Sequence, residues 1–154
     1  MAEFDVRPVS LAETRGLRRE VLRPHQCLEE LAGHEPAGAV AFGAFDGEDL
    51  VAVGLVGPDG DPGDWRVRGM ATAPRARGKG AGSAILQTLV QHAIAHGASR
   101  VWCNGRTAAR ALYERAGFVV ASDEFESPQT GPHYRMELSV PDAAGGTRRE
   151  FSDL

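Results

Sequence analysis

One short run limits the folds open to this chain more than any other. Arg75-Ala76-Arg77-Gly78-Lys79-Gly80-Ala81-Gly82-Ser83 places glycine at three alternate positions. It follows an extended stretch, Trp65 to Thr72, and precedes the strongest helical pattern in the chain. In that pattern Ile85, Leu86, Leu89, Val90, Ala93 and Ile94 fall on one face at helical spacing, and Gly97 closes the end. Glycine lets successive backbone N–H groups turn toward one point. A helix start adds positive potential there. The run therefore reads as an anion cradle between a strand and a helix, which requires a sheet with helices packed on it.

The charge distribution agrees. The formal net charge of −4 argues against a general nucleic-acid binder. By segment, residues 1–64 are net −8, residues 65–113 are net +8 and residues 114–154 are net −4. The middle block holds seven arginines, Lys79 and no acid. An acid-free block around the cradle implies an anionic partner small enough to be served by one segment.

The length of 154 residues suits one domain with a real core. The N-terminal Met1-Ala2-Glu3-Phe4-Asp5 carries acids where a signal peptide needs an apolar run, and no apolar stretch reaches membrane-spanning length. Cys27 and Cys103 make no disulfide framework. A cytoplasmic enzyme or binding domain is the expectation, with no membrane and no nucleic-acid partner.

Along the chain, Phe4 to Pro8 reads as an edge strand. Ser10 caps a helix with Glu13 as its capping-box partner, and Leu11, Leu17, Val21 and Leu22 form its stripe until Pro24. Cys27 to Leu31 reads as a second helical turn and His34 to Gly38 as a loop. Ala39 to Phe45 and Leu50 to Leu55 make a hairpin around Asp46-Gly47-Glu48-Asp49. In the strand Trp65 to Thr72, Trp65, Val67 and Gly69 share one face, and Arg66 and Arg68 share the other. Arg100 to Cys103 is a short strand, Thr107 to Ala116 a helix stopped by Gly117, and Phe118 to Ala121 and His133 to Val140 are strands. From Pro141 the chain reads as a flexible tail.

Two familiar phosphate motifs fail. The P-loop needs Gly-Lys-Ser/Thr, but Gly80 follows Lys79. The dinucleotide fingerprint needs glycine or alanine where Ser83 stands, and no acid follows within about 20 residues to hold a ribose. The pattern Arg/Gln-x-x-Gly-x-Gly/Ala is met by Arg75-Ala76-Arg77-Gly78-Lys79-Gly80. This resembles the pyrophosphate loop of the GNAT superfamily of N-acetyltransferases. Leu112-Tyr113-Glu114-Arg115-Ala116-Gly117-Phe118 resembles that family's Tyr-x-x-x-Gly-Phe signature. The resemblance is specific from Trp65 to Val120 and extends from Phe4 to Val140. Leu17 to Pro24, Trp102-Cys103-Asn104 and Gly131-Pro132-His133 resemble a bacterial subgroup of undefined substrate.

The resemblance implies an α/β (α+β) fold over residues 1–140, with a mixed, mostly antiparallel sheet and helices on both faces. It implies acetyl-CoA as co-substrate, no metal, and direct transfer to a primary amine of a small molecule. Alternatives are a non-catalytic CoA-binding module and a protein N-terminal acetyltransferase. A nucleotide-phosphate binder would use the same cradle. A homodimer is among the assemblies of the relatives. The implied cofactor residues are Met70, Ala71, Thr72, Arg75, Arg77, Gly78, Lys79, Gly80, Ala81, Gly82 and Ser83. Asn104, Arg106 and Tyr113 complete the set. Many relatives place asparagine seven residues before the tyrosine. Here that residue is Arg106, and Asn104 lies two earlier.

By the same resemblance, a backbone N–H at Met70 or a neighbour polarises the carbonyl, and Tyr113 protonates the departing thiolate. The amine must lose a proton, and the acid-free block offers no acceptor for it. The candidates are Glu124, Glu126 and His133. Asp123, Glu124 and Glu126 could also attract a cationic amine. The acceptor pocket would form from Leu17 to Leu31 and Glu124 to His133, where arginines and acids mix, so the sign of the acceptor's charge stays open. Arg66 and Arg68 read equally as a solvated strand face. Cys103 reads as a buried small hydrophobe, Trp65 and Trp102 as packing, and His92 and His96 as a surface pair rather than metal ligands.

Overall fold

The computed structural model describes residues 4–24, 35, 37–128 and 130–141. The first helix, α1 (Leu11–Leu22), follows strand β1 (Asp5–Val9) and begins as its capping box dictates. The Ser10 N–H donates to Glu13 Oε1 at 2.7 Å, and the Glu13 N–H donates to Ser10 Oγ at 3.1 Å. Strands β2 (Val40–Asp46), β3 (Asp49–Pro58) and β4 (Asp64–Thr72) then form an antiparallel meander. Helix α2 (Ala81–Ala95) carries the chain to β5 (Arg100–Arg106), which lies parallel to β4. A 3-10 turn, Thr107–Ala109, leads into α3 (Arg110–Arg115). The chain ends on β6 (Val119–Val120), β7 (Phe125–Ser127) and β8 (Gly131–Ser139).

All eight strands join one sheet in the order β1-β2-β3-β4-β5-β8-β6, with β7 also on β8. Among the described residues, only β4 and β5 run parallel. The fold is therefore the expected α/β domain with a mixed, mostly antiparallel sheet. Its helices lie on both faces. A Cβ at Gly54 would meet Leu89 and Ile85 of α2, whereas one at Gly69 would meet Arg18 of α1. The core lies under α2, where Ile85, Leu86, Leu89 and Ala93 pack with Val67, Val101, Phe118 and Met136.

Several local expectations change. The buried residues of α1 are Thr14 and Arg18, not its leucines. Arg18 is drawn in by ion pairing with Glu35 at 2.6 Å, which Arg15 also holds at 2.8 Å. Ile94 is 44% exposed. A row at four-residue spacing drifts about 40° per step around a helix, so Ile94 has left the line begun by Leu86. The strand at Arg100 runs on to Arg106, and β7 is an additional strand. The strand from Phe118 shrinks to Val119–Val120. The turn expected at Cys27 to Leu31, and the tail from residue 142 onward, lie outside the described residues.

Gly69 also leaves its expected face. Between Val53↔Ala71 and Leu55↔Arg68, β4 holds one residue more than β3. Gly69 takes φ +62°, a left-handed value open to glycine at little cost. This bulge turns Gly69 toward α1 and Met70 toward α2. Among the described residues, no helix is long and apolar enough to cross a membrane.

Candidate active site

The sheet opens where β4 meets β5. Pairing runs from Asp64↔Arg100 through Arg66↔Trp102 and then stops. Arg100 clamps the closed end, its Nε and Nη2 donating to the two Asp64 oxygens at 3.0 and 2.8 Å. Beyond Trp102, β5 follows β8 while β4 follows β3. The two strands diverge around the bulge at Gly69. In an antiparallel pair, alternate residues turn their N–H and C=O away from the partner. On β4 beyond Arg66 those groups face the opening instead of a strand.

A cavity of about 600 Å³ fills this opening. Met70 and Thr72 line it from β4, Asn104 and Arg106 from β5, and Leu112 and Tyr113 from α3. On the α1 side the wall is Arg18, Leu22 and Arg23, and toward β7 and β8 it is Phe125, Ser127 and His133.

The glycine run lies past the open end of β4. Pro74–Ala76 forms a 3-10 turn, and Arg77 Nε donates to the Thr72 carbonyl at 3.4 Å, tying loop to cavity. Gly78 has φ +76° and Gly80 φ +93°, and both face open space. Gly80 is the N-cap of α2 and supplies no side-chain cap. The N–H groups of Gly78, Lys79 and Gly80 have no acceptor among the described residues. Those of Ala81, Gly82 and Ser83 open the helix and lack intrahelical partners. Arg75, Arg77 and Lys79 are exposed around them. The arrangement can hold an anion by backbone donation and add formal charge at its rim. Ala71 is buried in β4 beside Val53 and contributes backbone only.

Tyr113 is 6% exposed, its ring edge-on to Phe118 at 5.7 Å. Burial pushes its phenol above the ordinary tyrosine value, so it stays protonated. His133 is 7% exposed. Its Nδ1 lies 2.7 Å from the Gly131 carbonyl, which accepts a hydrogen bond only from a protonated Nδ1. Neutral His133 therefore presents a lone pair at Nε2.

The three acids expected nearby do not reach the cavity. Glu124 accepts from Thr107 Oγ1 at 2.7 Å on the surface. Glu126 lies between Phe125 and Ser127 on β7, so alternation turns it away from the wall that they line. Asp123 is also exposed. Among the described residues the wall carries six arginines and no carboxylate.

Arg66 and Arg68 are the wall residues that sequence reasoning left undecided. Both face the cavity, each with Nη1 3.6 Å from the same Asp59 oxygen. Arg66 lies 4.6 Å over the Trp102 ring, and Arg135 lies 4.0 Å from that ring as well. Trp102 is thus more than packing, and its Nε1 donates to the Asp59 carbonyl at 2.9 Å. Burial, then the charges of Arg66, Arg18 and Arg23, push Arg68 below the ordinary arginine value. Arg106 donates to the Leu22 carbonyl at 2.8 Å. The usable signal was strand alternation through a block without acids.

Other candidates have other roles. Cys103 is buried, and desolvation pushes its thiol up to about 12, so it offers no thiolate. His92 and His96 stack on each other at 4.1 Å, with His92 also against Phe42 and Trp65. No group of three or more metal-binding side chains exists among the described residues.

This fold is shared with solved acetyltransferases. The ribosomal-protein-S18-alanine N-acetyltransferase of Escherichia coli superposes with TM-score 0.74 at 16% identity, over 95% of this chain and 99% of its own. A Bacillus subtilis acetyltransferase in complex with CoA gives TM-score 0.71 at 14% identity, over 90% of this chain and 99% of its own. The model of the acetyltransferase (GNAT) family matches residues 9–118, and the chain belongs to that family as an N-acetyltransferase. In sequence it is 29% identical over 140 residues to the uncharacterized N-acetyltransferase YitI of Bacillus subtilis, over 86% of this chain and 94% of that one.

Proposed function

We propose that the chain transfers the acetyl group of acetyl-CoA to a primary amine of a small molecule by direct attack, with Tyr113 as general acid. The observation that carries this reading is the continuous path from the glycine loop, through the opening between β4 and β5, to the protonated Tyr113.

The residues suit CoA. The N–H groups from Gly78 to Ser83 are unpaired and available to a pyrophosphate, and Arg75, Arg77 and Lys79 match its charge. Asn104 and Thr72 offer polar contacts to the pantetheine amides along the walls. Acetyl-CoA supplies an activated acetyl thioester. A free N–H of β4 near Gly69 and Met70 is the donor for the carbonyl oxygen, and one such donor lowers the barrier by about 3 kcal/mol. Tyr113 donates its proton to the departing sulfur. Burial keeps the phenol protonated at neutral pH, so its proton is in place when the thiolate departs.

The amine must arrive without its proton. A wall with six arginines and no carboxylate disfavours an ammonium through like charge. His133 Nε2 accepts the proton, directly or through water. Glu124 and Glu126 are less suited because both point to solvent.

Thiol release from acetyl-CoA across a broad panel of primary amines tests the reading. Turnover with at least one amine is expected, with a large loss in Tyr113→Phe. Tight CoA binding without turnover on any amine would leave only a binding module. Calorimetric preference for ATP over CoA would overturn the use of the loop.

A further inference from the structure

We propose that the acceptor amine carries an anionic group of the carboxylate or phosphate type, held by Arg66 and Arg68 with Arg23 and Arg106. The inference deepens the acetyl-transfer reading and names the acceptor class of that same cavity.

These arginines are not accounted for by the phosphates of CoA. Along β4, Arg66 lies six residues and Arg68 four residues before Thr72, while the glycine loop begins only after it. At about 3.3 Å per residue this separates them from the strand end by roughly 20 and 13 Å. They flank the closed end of the opening, beside the face of α1.

Nor are they accounted for by pairing. Asp59 stands between Arg66 and Arg68 at 3.6 Å from each, beyond hydrogen-bond distance. One carboxylate thus faces two guanidinium groups and fully engages neither. Arg66 Nε is buried and has no hydrogen-bond partner. Arg23 and Arg106 have no acidic partner among the described residues. Glu137, opposite Trp102 on β8, is engaged by Arg135 at 2.8 Å. These arginines are half-buried, and cations drawn out of water for structure alone are normally paired, because desolvating an unpaired one is costly. Burial and the neighbouring Arg23 charge also push Arg106 below its ordinary value, as expected in a site that lacks an anion.

The placement fits chemistry at the bulge. Arg68 immediately precedes Gly69 and Met70, where the thioester carbonyl is received. An anion held at Arg68 leaves an amine one or two bonds away within reach of that carbonyl, the spacing of an amino acid or a short aminoalkyl phosphate. The same potential repels polyamines and lysine side chains.

Matched ligands test the proposal with the full chain. Thiol release is measured for amino acids, their carboxamides, the corresponding decarboxylated amines, and aminoalkyl phosphates. The anionic members should exceed their neutral counterparts at least tenfold in kcat/KM. The carboxylate and phosphate arms identify which anion fits. Arg68→Gln and Arg66→Gln should each raise KM for the anionic acceptor at least tenfold with CoA affinity unchanged, whereas Arg19→Gln, exposed on α1, should change nothing. Equal or better use of carboxamides and decarboxylated amines would overturn the anion site while leaving acetyl transfer standing. Calorimetry of N-acetyl-amino acids against their carboxamides, on CoA-loaded protein, needs no turnover. Tighter binding of the carboxylate supports the site even if no acceptor is turned over. No difference, including no binding of either, overturns it.

Discussion

Tyr113 packs its ring directly against Gly105 of β5. A Cβ built on Gly105 would come within 2.8 Å of the ring's Cε2 and 3.1 Å of its Cδ2. The ring is also edge-on to Phe118, and α3 has little room to retreat. The Tyr113 ring is thus seated by an absent side chain.

Gly105→Ala should therefore act on both folding and rate. Overpacking a rigid buried ring costs about 1–3 kcal/mol. Thermal melts should show that loss, and kcat should fall more than CoA affinity because the phenol is displaced. A variant with unchanged Tm and kcat would mean that the ring moves freely.

Tyr113→Phe removes the proposed donor and keeps the ring. A general acid contributes roughly 10²- to 10⁴-fold, so kcat should fall by about that factor with CoA Kd unchanged. Because the folded phenol is pushed above its ordinary value of about 10, its proton is retained to higher pH. The wild-type rate should show no alkaline decline from this group up to pH 9.5. A decline centred near pH 8 would assign the donor elsewhere.

The clamp between Asp64 and Arg100 closes the narrow end of the cleft. Hydrogen bonds from Arg100 come first among the causes that hold the Asp64 carboxyl below its ordinary value of about 3.9. A depressed value means that the pair stabilises the fold above about pH 4 and that this is lost as pH falls through the folded value. Asp64→Asn should lower Tm by several degrees at pH 7, with the difference shrinking below pH 4. A difference independent of pH from 3 to 7 would remove the ionic account.

Gly80→Asp should remove most CoA affinity, by about a hundredfold or more in calorimetry. The residue sits at φ +93°, so a side chain is strained there, and a carboxylate enters the cradle. Wild-type CoA affinity should also fall with rising salt, because Arg75, Arg77 and Lys79 are exposed and screened. Binding near wild type in the variant, or a flat salt response, would place the phosphates elsewhere.

Features set by neighbours in the chain were readable without coordinates. The capping box at Ser10 and Glu13, the left-handed glycines before α2 and the Tyr113 to Phe118 segment all rest on spacings of a few residues. The alternation of Arg66 and Arg68 on one face of β4 was readable too. What that face meets was not. Arg18 illustrates the limit. Its helix shows a leucine stripe, yet the arginine is the buried residue because Glu35, seventeen positions on, holds it there.

The cleft itself depends on register across distant strands. Pairing of Trp65 with Val101 and of Arg66 with Trp102, followed by divergence, joins segments 36 residues apart. Local propensity carries no information about where such pairing stops. The position of His133 on the wall, and of Glu124 and Glu126 off it, follows from β7 folding back on β8. Chain order and composition made an anion cradle legible in a basic block. Long-range strand pairing put Arg66 and Arg68 of β4 and Arg106 of β5 on the wall of one cavity, back from the strand end where the glycine loop begins.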